Sequence, residues 1–271
     1  MGYTLSNACL ELAKVLGGVR IGEATVESAN TLVDTKRLES SEYWSDGVLW
    51  VLSGTDIGKM FSITSFGDGT FTIDGSLTIP TPPPEDPEVV KYACSPPRFT
   101  KEILIVSINK ALFDLGGIVQ TDTSLTVTEN TLEYTLPDSV YNVKKVFVAG
   151  IDDEPYNFEE NFYWSEINGK LVFDVGKQPM SAGKKIKLIY VAPHADLLVY
   201  NSEVNSAVDM RWLIWASAVY AYRDIISRVG KDKPELVELM NEAIRKEEEA
   251  RTVALSRIHR TISRAPHLGV W

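Results

Sequence analysis

The spacing of apolar residues along this chain switches from a helical period to strict alternation and back, twice over. That switch constrains the fold more than any motif, because helices and strands bury different sets of side chains. In TLSNACLELAKVLGG, residues 4–18, Leu5, Ala8, Leu12 and Val15 or Leu16 recur at helical spacing ahead of a glycine pair, which stops a helix. The period then drops to two. Short β-rich runs at 31–34, 47–52, 60–64 and 70–73 are separated by the turn formers Ser53-Gly54, Ile57-Gly58 and Gly67-Asp68-Gly69. Strands so short and so closely spaced predict a small antiparallel barrel or sandwich. The run PTPPPEDPE, residues 80–88, lacks the amide donors of a central strand or helix. It reads as a stiff polyproline-like loop leading to one last strand near 89–94.

Helical spacing returns after Pro96-Pro97. Thr100 is placed as a cap, Leu104, Ile108, Ala111 or Leu112 and Leu115 share a face, and Gly116-Gly117 stops the helix. A second β region follows in SLTVTE, TLEYTL, VKKVFVAG, LVFDVG and KKIKLIYVA, punctuated by Pro137-Asp138, Asn168-Gly169 and Ala182-Gly183. The Asn-Gly pair is a strong hairpin signal. Beyond it, Val208, Trp212, Trp215, Val219, Tyr222, Ile226 and Val229 alternate by four and three, and the remaining faces are also apolar, so this helix is expected to be enclosed. Asp232 is placed to cap a further helix with Pro234 in its first turn. Leu236, Met240, Ile244, Ala254, Ile258 and Ile262 form its stripe, EAIRKEEEAR gives it (i, i+4) charge pairs, and Pro266 stops it.

No single helix can bury such a stripe alone. The expected fold is therefore α+β, a discontinuous bundle of about four helices carrying two antiparallel β insertions of small barrel or sandwich type. Its divisions are an N-terminal bundle helix at 1–20, a barrel-like insertion with the Pro-rich loop at 21–95, and a bundle helix at 96–118. A second β domain at 119–200, C-terminal bundle helices at 201–265 and an arm at 266–271 complete it.

The net charge is −10, yet no carboxylate side chain follows Glu249 while Arg251, Arg257, Arg260 and Arg264 do, so the remainder carries −14. An acidic body disfavours nonspecific nucleic-acid binding. The basic terminus suits an acidic partner or DNA phosphate, or else is a solvated helix end whose arginines complement the dipole. Cys9 and Cys94 support neither a disulfide framework nor a metal cluster. No run approaches 18 apolar residues, and the first sixteen residues lack a basic start followed by an apolar run, so neither a membrane span nor a secretory signal is expected.

SGTDIGKM, residues 53–60, superficially evokes a phosphate loop, but three residues separate its glycines and Met60 follows Lys59. The phosphate loop needs four, then Ser or Thr; a hairpin turn is expected. Asp152, Asp153, Glu154, Glu159 and Glu160 form an acidic cluster with no calcium-loop spacing, either a solvated turn or a surface for a basic partner. His194, His259 and His267 share no motif with Cys, Ser or Asp. Trp44, Trp50 and Trp164 lie in β regions, where aromatics either fill a core or stack on sugars. No catalytic, cofactor-binding or metal-binding residue is expected, and no enzymatic activity. In the terminal arm Arg257, Arg260 and Arg264 share a helix face; after Pro266 the residues His267, Leu268, Gly269, Val270 and Trp271 form an apolar hook suited to a groove or a sheet edge.

Two stretches carry a resemblance. RFT followed by INKALFDLG and TSLTVTENTLEYTLPDSVYNVKKVFVAG, between 98 and 150, resembles the adaptor (head-to-tail connector) proteins of tailed bacteriophages, in which a helix ending in Leu-Gly precedes a strand, a Y-x-L-P turn and a V-x-x-V strand. TLVDTKRLESSEYWSDGVLWVLSGTDIGKMFSIT, residues 31–64, resembles a small β-module of phage virion proteins. The resemblance implies a virion neck protein, assembled in the host cytoplasm as a closed ring, usually twelvefold, beneath the portal, with DNA passing through the lumen. It implies that the arm, Arg257 to Trp271, docks on the portal protein, and that a β surface receives the downstream tail protein, for which Asp152 to Glu160 are candidates. The Pro-rich insertion and first β-module go beyond the minimal adaptor pattern. They leave open another tail ring component, such as a terminator or tube protein, or a carbohydrate-binding virion module.

Overall fold

Alternation in the first β segment closes on itself. In the computed structural model, which describes residues 3–78, 89–140, 142–149, 158–174, 182–230 and 233–262, the chain divides into two compact units. One is built on Met1–Asp114 and Ala195–Ala254, the other on Leu115–His194.

The first unit contains a closed antiparallel barrel. Its strands are β1 (Arg20–Ser28), β2 (Thr31–Val33), β3 (Val48–Val51), β4 (Met60–Gly67), β5 (Thr70–Ile73) and β6 (Val89–Ser95), in the order β1-β2-β5-β4-β3-β6. The long β1 makes closure possible, pairing with β2 at Thr25 opposite Val33 and with β6 from Arg20 opposite Cys94 to Thr25 opposite Val89. Leu32, Trp44, Leu49, Phe66, Phe71 and Tyr92 fill the interior. Phe71 meets Phe66 and Tyr92 with ring centroids 4.8 and 5.3 Å apart, within the range of favourable aromatic pairs. All four residues of β3 are buried, so the barrel is covered on that outer side as well. Closed strands leave no edge for stray pairing.

Two polar devices hold the barrel's turns. Tyr92 donates to Asp34 Oδ2 at 2.7 Å, and Arg37 Nε donates to the same hydroxyl at 2.8 Å. Burial, and then the acceptor Asp34, push the Tyr92 phenol far up; Arg37 opposes the shift. At the β3–β4 turn, Asp56 accepts from the Thr78 backbone amide and hydroxyl and pairs with Lys59 Nζ at 2.6 Å. The segment 53–60 is thus a turn pinned by its own carboxylate.

The helices of this unit are α1 (Leu5–Leu16), α2 (Lys101–Leu115), α3 (Met210–Val229) and α4 (Pro234–Ile262), α4 being assigned to the unit as far as Ala254. Thr4 caps α1 by accepting from Asn7 N, and Gly17 ends it at φ 86°. Asp209 caps α3 by accepting from Trp212 N. α1 packs along α3, Phe99 meets Tyr222 edge-on at 6.1 Å, and Trp212 Nε1 donates to Glu247 Oε1 of α4 at 2.7 Å.

The second unit holds β7 (Ile118–Asp122), β8 (Glu133–Thr135), β9 (Val143–Ala149), β10 (Phe158–Asn161), β11 (Trp164–Ile167), β12 (Lys170–Phe173) and β13 (Ile186–Ala192). They form a four-stranded sheet, β10-β9-β13-β7, and a three-stranded sheet, β11-β12-β8, antiparallel throughout. Val146, Leu171, Phe173, Ile186 and Leu188 lie in its core.

This architecture is not a helical bundle carrying two small β insertions. The expectation rested on helices needing each other to bury their stripes, and it undervalued the strands. The barrel alone buries a core of fourteen residues, and the second β region buries twelve more. Apolar burial on that scale lets β segments organise themselves.

Candidate functional site

The segment between β13 and α3 presents apolar side chains outward from a backbone tied at several points. Its anchor is Asn109 on α2, whose Nδ2 donates to the Leu197 carbonyl at 3.0 Å while its Oδ1 accepts from the Leu197 amide at 2.9 Å. Withdrawing a polar side chain even partly from water is costly unless it is satisfied; both ends of this partly buried amide are. Beyond the clamp the chain turns tightly, with Ser202 N donating to Val199 O at 2.8 Å and Val199 N to Ser202 Oγ at 3.2 Å. It then caps α1, because Leu5 N and Ser6 N donate to Ser202 O and Tyr200 O at 2.8 and 2.9 Å. The first amides of a helix have no internal acceptor, so the turn and the helix start stabilise each other. Leu197 and Val204 are buried, whereas Leu198 is 77 % exposed and Val199 53 %.

The outward face of α2 carries exposed apolar side chains of its own. Val106 and Phe113, seven residues apart with Lys110 between them, lie on one side of the helix; Phe113 is 72 % exposed. They border a cleft of about 420 Å³ that Asn109, Asp114, Asp196 and Tyr220 also line. Tyr220 donates to the Asp114 carboxylate; burial first, and then this bond, raise its pKa. Asn109 therefore belongs to both the clamp and the cleft. A turn fixed in this way loses little conformational freedom on docking, and Leu198 and Val199 are adjacent exposed apolar groups on it.

No protein-family model matches the chain, and no curated protein matches it in sequence.

The residues singled out from sequence fall as follows. Glu159 and Glu160 lie on β10, and Glu160 pairs with Lys145 of β9 at 3.2 Å; Asp152, Asp153 and Glu154 lie outside the described residues. Arg257 and Arg260 fall in the last turns of α4, with side chains outside the description. Arg264, Pro266, His267, Leu268, Gly269, Val270 and Trp271 lie outside it altogether, as does the expected cap Asp232. Trp44 and Trp50 are each 1 % exposed, which leaves neither ring free to stack on a sugar. Trp164 is partly buried against the core of the second unit. Cys9 and Cys94 are buried thiols, and burial pushes Cys94 up to about 12. Among the described residues no group of three or more His, Cys, Asp or Glu could hold a metal ion. No helix there is long and apolar enough to cross a membrane.

Asn109, Phe113, Leu198 and Val199 were not singled out from sequence. The available signals were a lone Asn inside the apolar run ILIVSINKALF and the apolar triplet Leu197-Leu198-Val199 between helix-breaking neighbours.

Proposed function

We propose that this protein is a structural subunit of a bacteriophage neck: an adaptor whose copies form a ring, joining the portal to the tail around the DNA passage. The sequence resemblance over 98–150 and 31–64 supports this reading. The observation that carries it in the fold is the apolar turn at Leu198 and Val199, clamped by Asn109 and by the first amides of α1. Burying such residues against a neighbouring copy would contribute roughly 25 cal/mol per Å² of apolar surface. The partners are further copies of the chain, the portal protein docked by the arm from Arg257 to Trp271, and the downstream tail protein. DNA would pass through the lumen without sequence-specific contact.

The test pairs Leu198→Asp with Val199→Asp. Both side chains are solvent-facing, so the double variant should keep the parent's circular dichroism and melting temperature. In mass photometry with purified portal rings, the parent should load as multiple copies per portal and the variant should not. A variant that loads as fully as the parent removes this surface from the assembly.

A further inference from the structure

The cleft of about 420 Å³ beside α2 holds one charge of each sign without a partner. Its lining lies wholly in the first unit. Asp114 is taken up by the Tyr220 hydroxyl, and the Arg223 guanidinium stands 5.7 Å from the Tyr220 ring centroid. Asn109 spends both ends of its amide on Leu197. Lys110 and Asp196 are exposed, and among the described residues they form no ion pair, with each other or with any other group.

Helical spacing fixes where these groups stand. Val106 and Phe113 lie two turns apart on α2, about 10 Å along its axis, and are 48 and 72 % exposed. Lys110 falls between them on the same side of the helix. Asp196 immediately precedes Leu197, whose amide and carbonyl Asn109 holds at 2.9 and 3.0 Å, so this acid stands beside position 109. The face therefore presents an apolar side chain at each end, with a cation and an anion side by side in the middle.

We propose that this face binds a second copy of the chain across a two-fold axis, α2 packing antiparallel on α2. Centred between positions 109 and 110, such a pair sets Phe113 of each copy against Val106 of the other. The same register puts Lys110 of each opposite the other's Asn109, next to its Asp196. A two-fold contact must be self-complementary. Here each unpaired charge meets its opposite, twice over, while the exposed apolar side chains leave water. A parallel pair would face Lys110 with Lys110, and a wholly acidic or wholly basic partner would oppose one of the two charges. One helix pair with its flanks is smaller than a standard interface, so the dimer should form at micromolar rather than nanomolar concentration. The contact does not rest on the ring reading, since a two-fold pair closes by itself.

Analytical ultracentrifugation of the full chain without portal, over a range of micromolar concentrations, tests this. The parent should sediment as monomer and dimer in exchange. Phe113→Gln should weaken the dimer by about tenfold or more, and Lys110→Glu or Asp196→Lys alone by about three- to tenfold. Mixing these two reversals should restore the parent's affinity, because each reversed charge then meets its opposite in the other chain. All three side chains are exposed, so an unchanged melting temperature certifies the fold. A parent that stays monomeric at every concentration leaves this face to another protein and overturns the proposal. So does a dimer that Phe113→Gln leaves unchanged, or a mixture of the two reversals as weak as either alone. Assemblies larger than two copies that Phe113→Gln abolishes would assign the face to a head-to-tail contact and contradict the two-fold pair.

Discussion

At Asp56 one carboxylate ties a turn to a distant segment, accepting two bonds from Thr78 and the charge of Lys59. Burial alone would raise its pKa, but the bonds to Lys59 and Thr78 outweigh it and hold the group below its ordinary value of 3.8. A carboxylate depressed in the folded state contributes stability that is present above its unfolded pKa and lost as pH falls through the folded one. Asp56→Asn should therefore cost about 1–3 kcal/mol at pH ~7, with the gap between parent and variant narrowing below pH ~4. Urea unfolding at both pH values measures it; a gap independent of pH would refute the charge's role. Gly47 is constrained sterically instead, since a Cβ there would come within 2.1 Å of the Ser95 carbonyl, in the β3–β6 ladder. Gly47→Ala should lower stability by about 1–3 kcal/mol or more, read as a fall in melting temperature. Cys94, pushed up to about 12 by burial, should resist thiol reagents at pH ~8 until the protein unfolds; labelling at the rate of a free thiol would contradict its burial.

Among the elements, α2 and the turn it clamps are mutually dependent. Asn109→Ala leaves the Leu197 amide and carbonyl without their partners, an expected cost of about 1–3 kcal/mol. Hydrogen exchange should accelerate over 197–204 and at the first turn of α1 while the barrel strands keep their protection. Uniform acceleration would show that the clamp is not local. Helix stops were legible because the glycines that end them need positive φ, 86° at Gly17 and 79° at Gly116. The Asn168-Gly169 turn was legible for the same reason, at φ 52° and 72°. What escaped the sequence was pairing at a distance. RIGEATVES mixes charged, small and apolar residues without clear alternation, yet as β1 it closes the barrel. SLTVTE looks like a strand, but its Thr126 makes only an isolated bridge to Lys185, whereas IVQTD pairs along β13 as β7. Strand identity is settled by the partner more than by propensity.

At the scale of the whole molecule, each β region has a core of its own, so destabilisation should stay local. Phe173, 1 % exposed and packed edge-on against Tyr134 at 5.8 Å, lies in the second unit. Phe173→Ala should cost about 3–5 kcal/mol, with exchange rising over 118–192 and little change in the barrel; equal loss in both would show one cooperative unit. The sequence showed where periods change but not that the strands would bury enough to organise themselves, which is why a bundle with insertions was expected and a barrel with a separate β unit was found. The candidate site was less legible still, since exposure of Leu198 and Val199 follows from packing rather than pattern. The central claim, a ring subunit seated on a portal, is tested most directly by electron microscopy of purified protein mixed with portal rings, using the full chain and a variant lacking residues 266–271. The full chain should add a ring of density beneath the portal, and the truncated chain should stay folded but unattached. A full chain that leaves the portal bare, or a truncated chain that loads as well as the parent, would contradict the account.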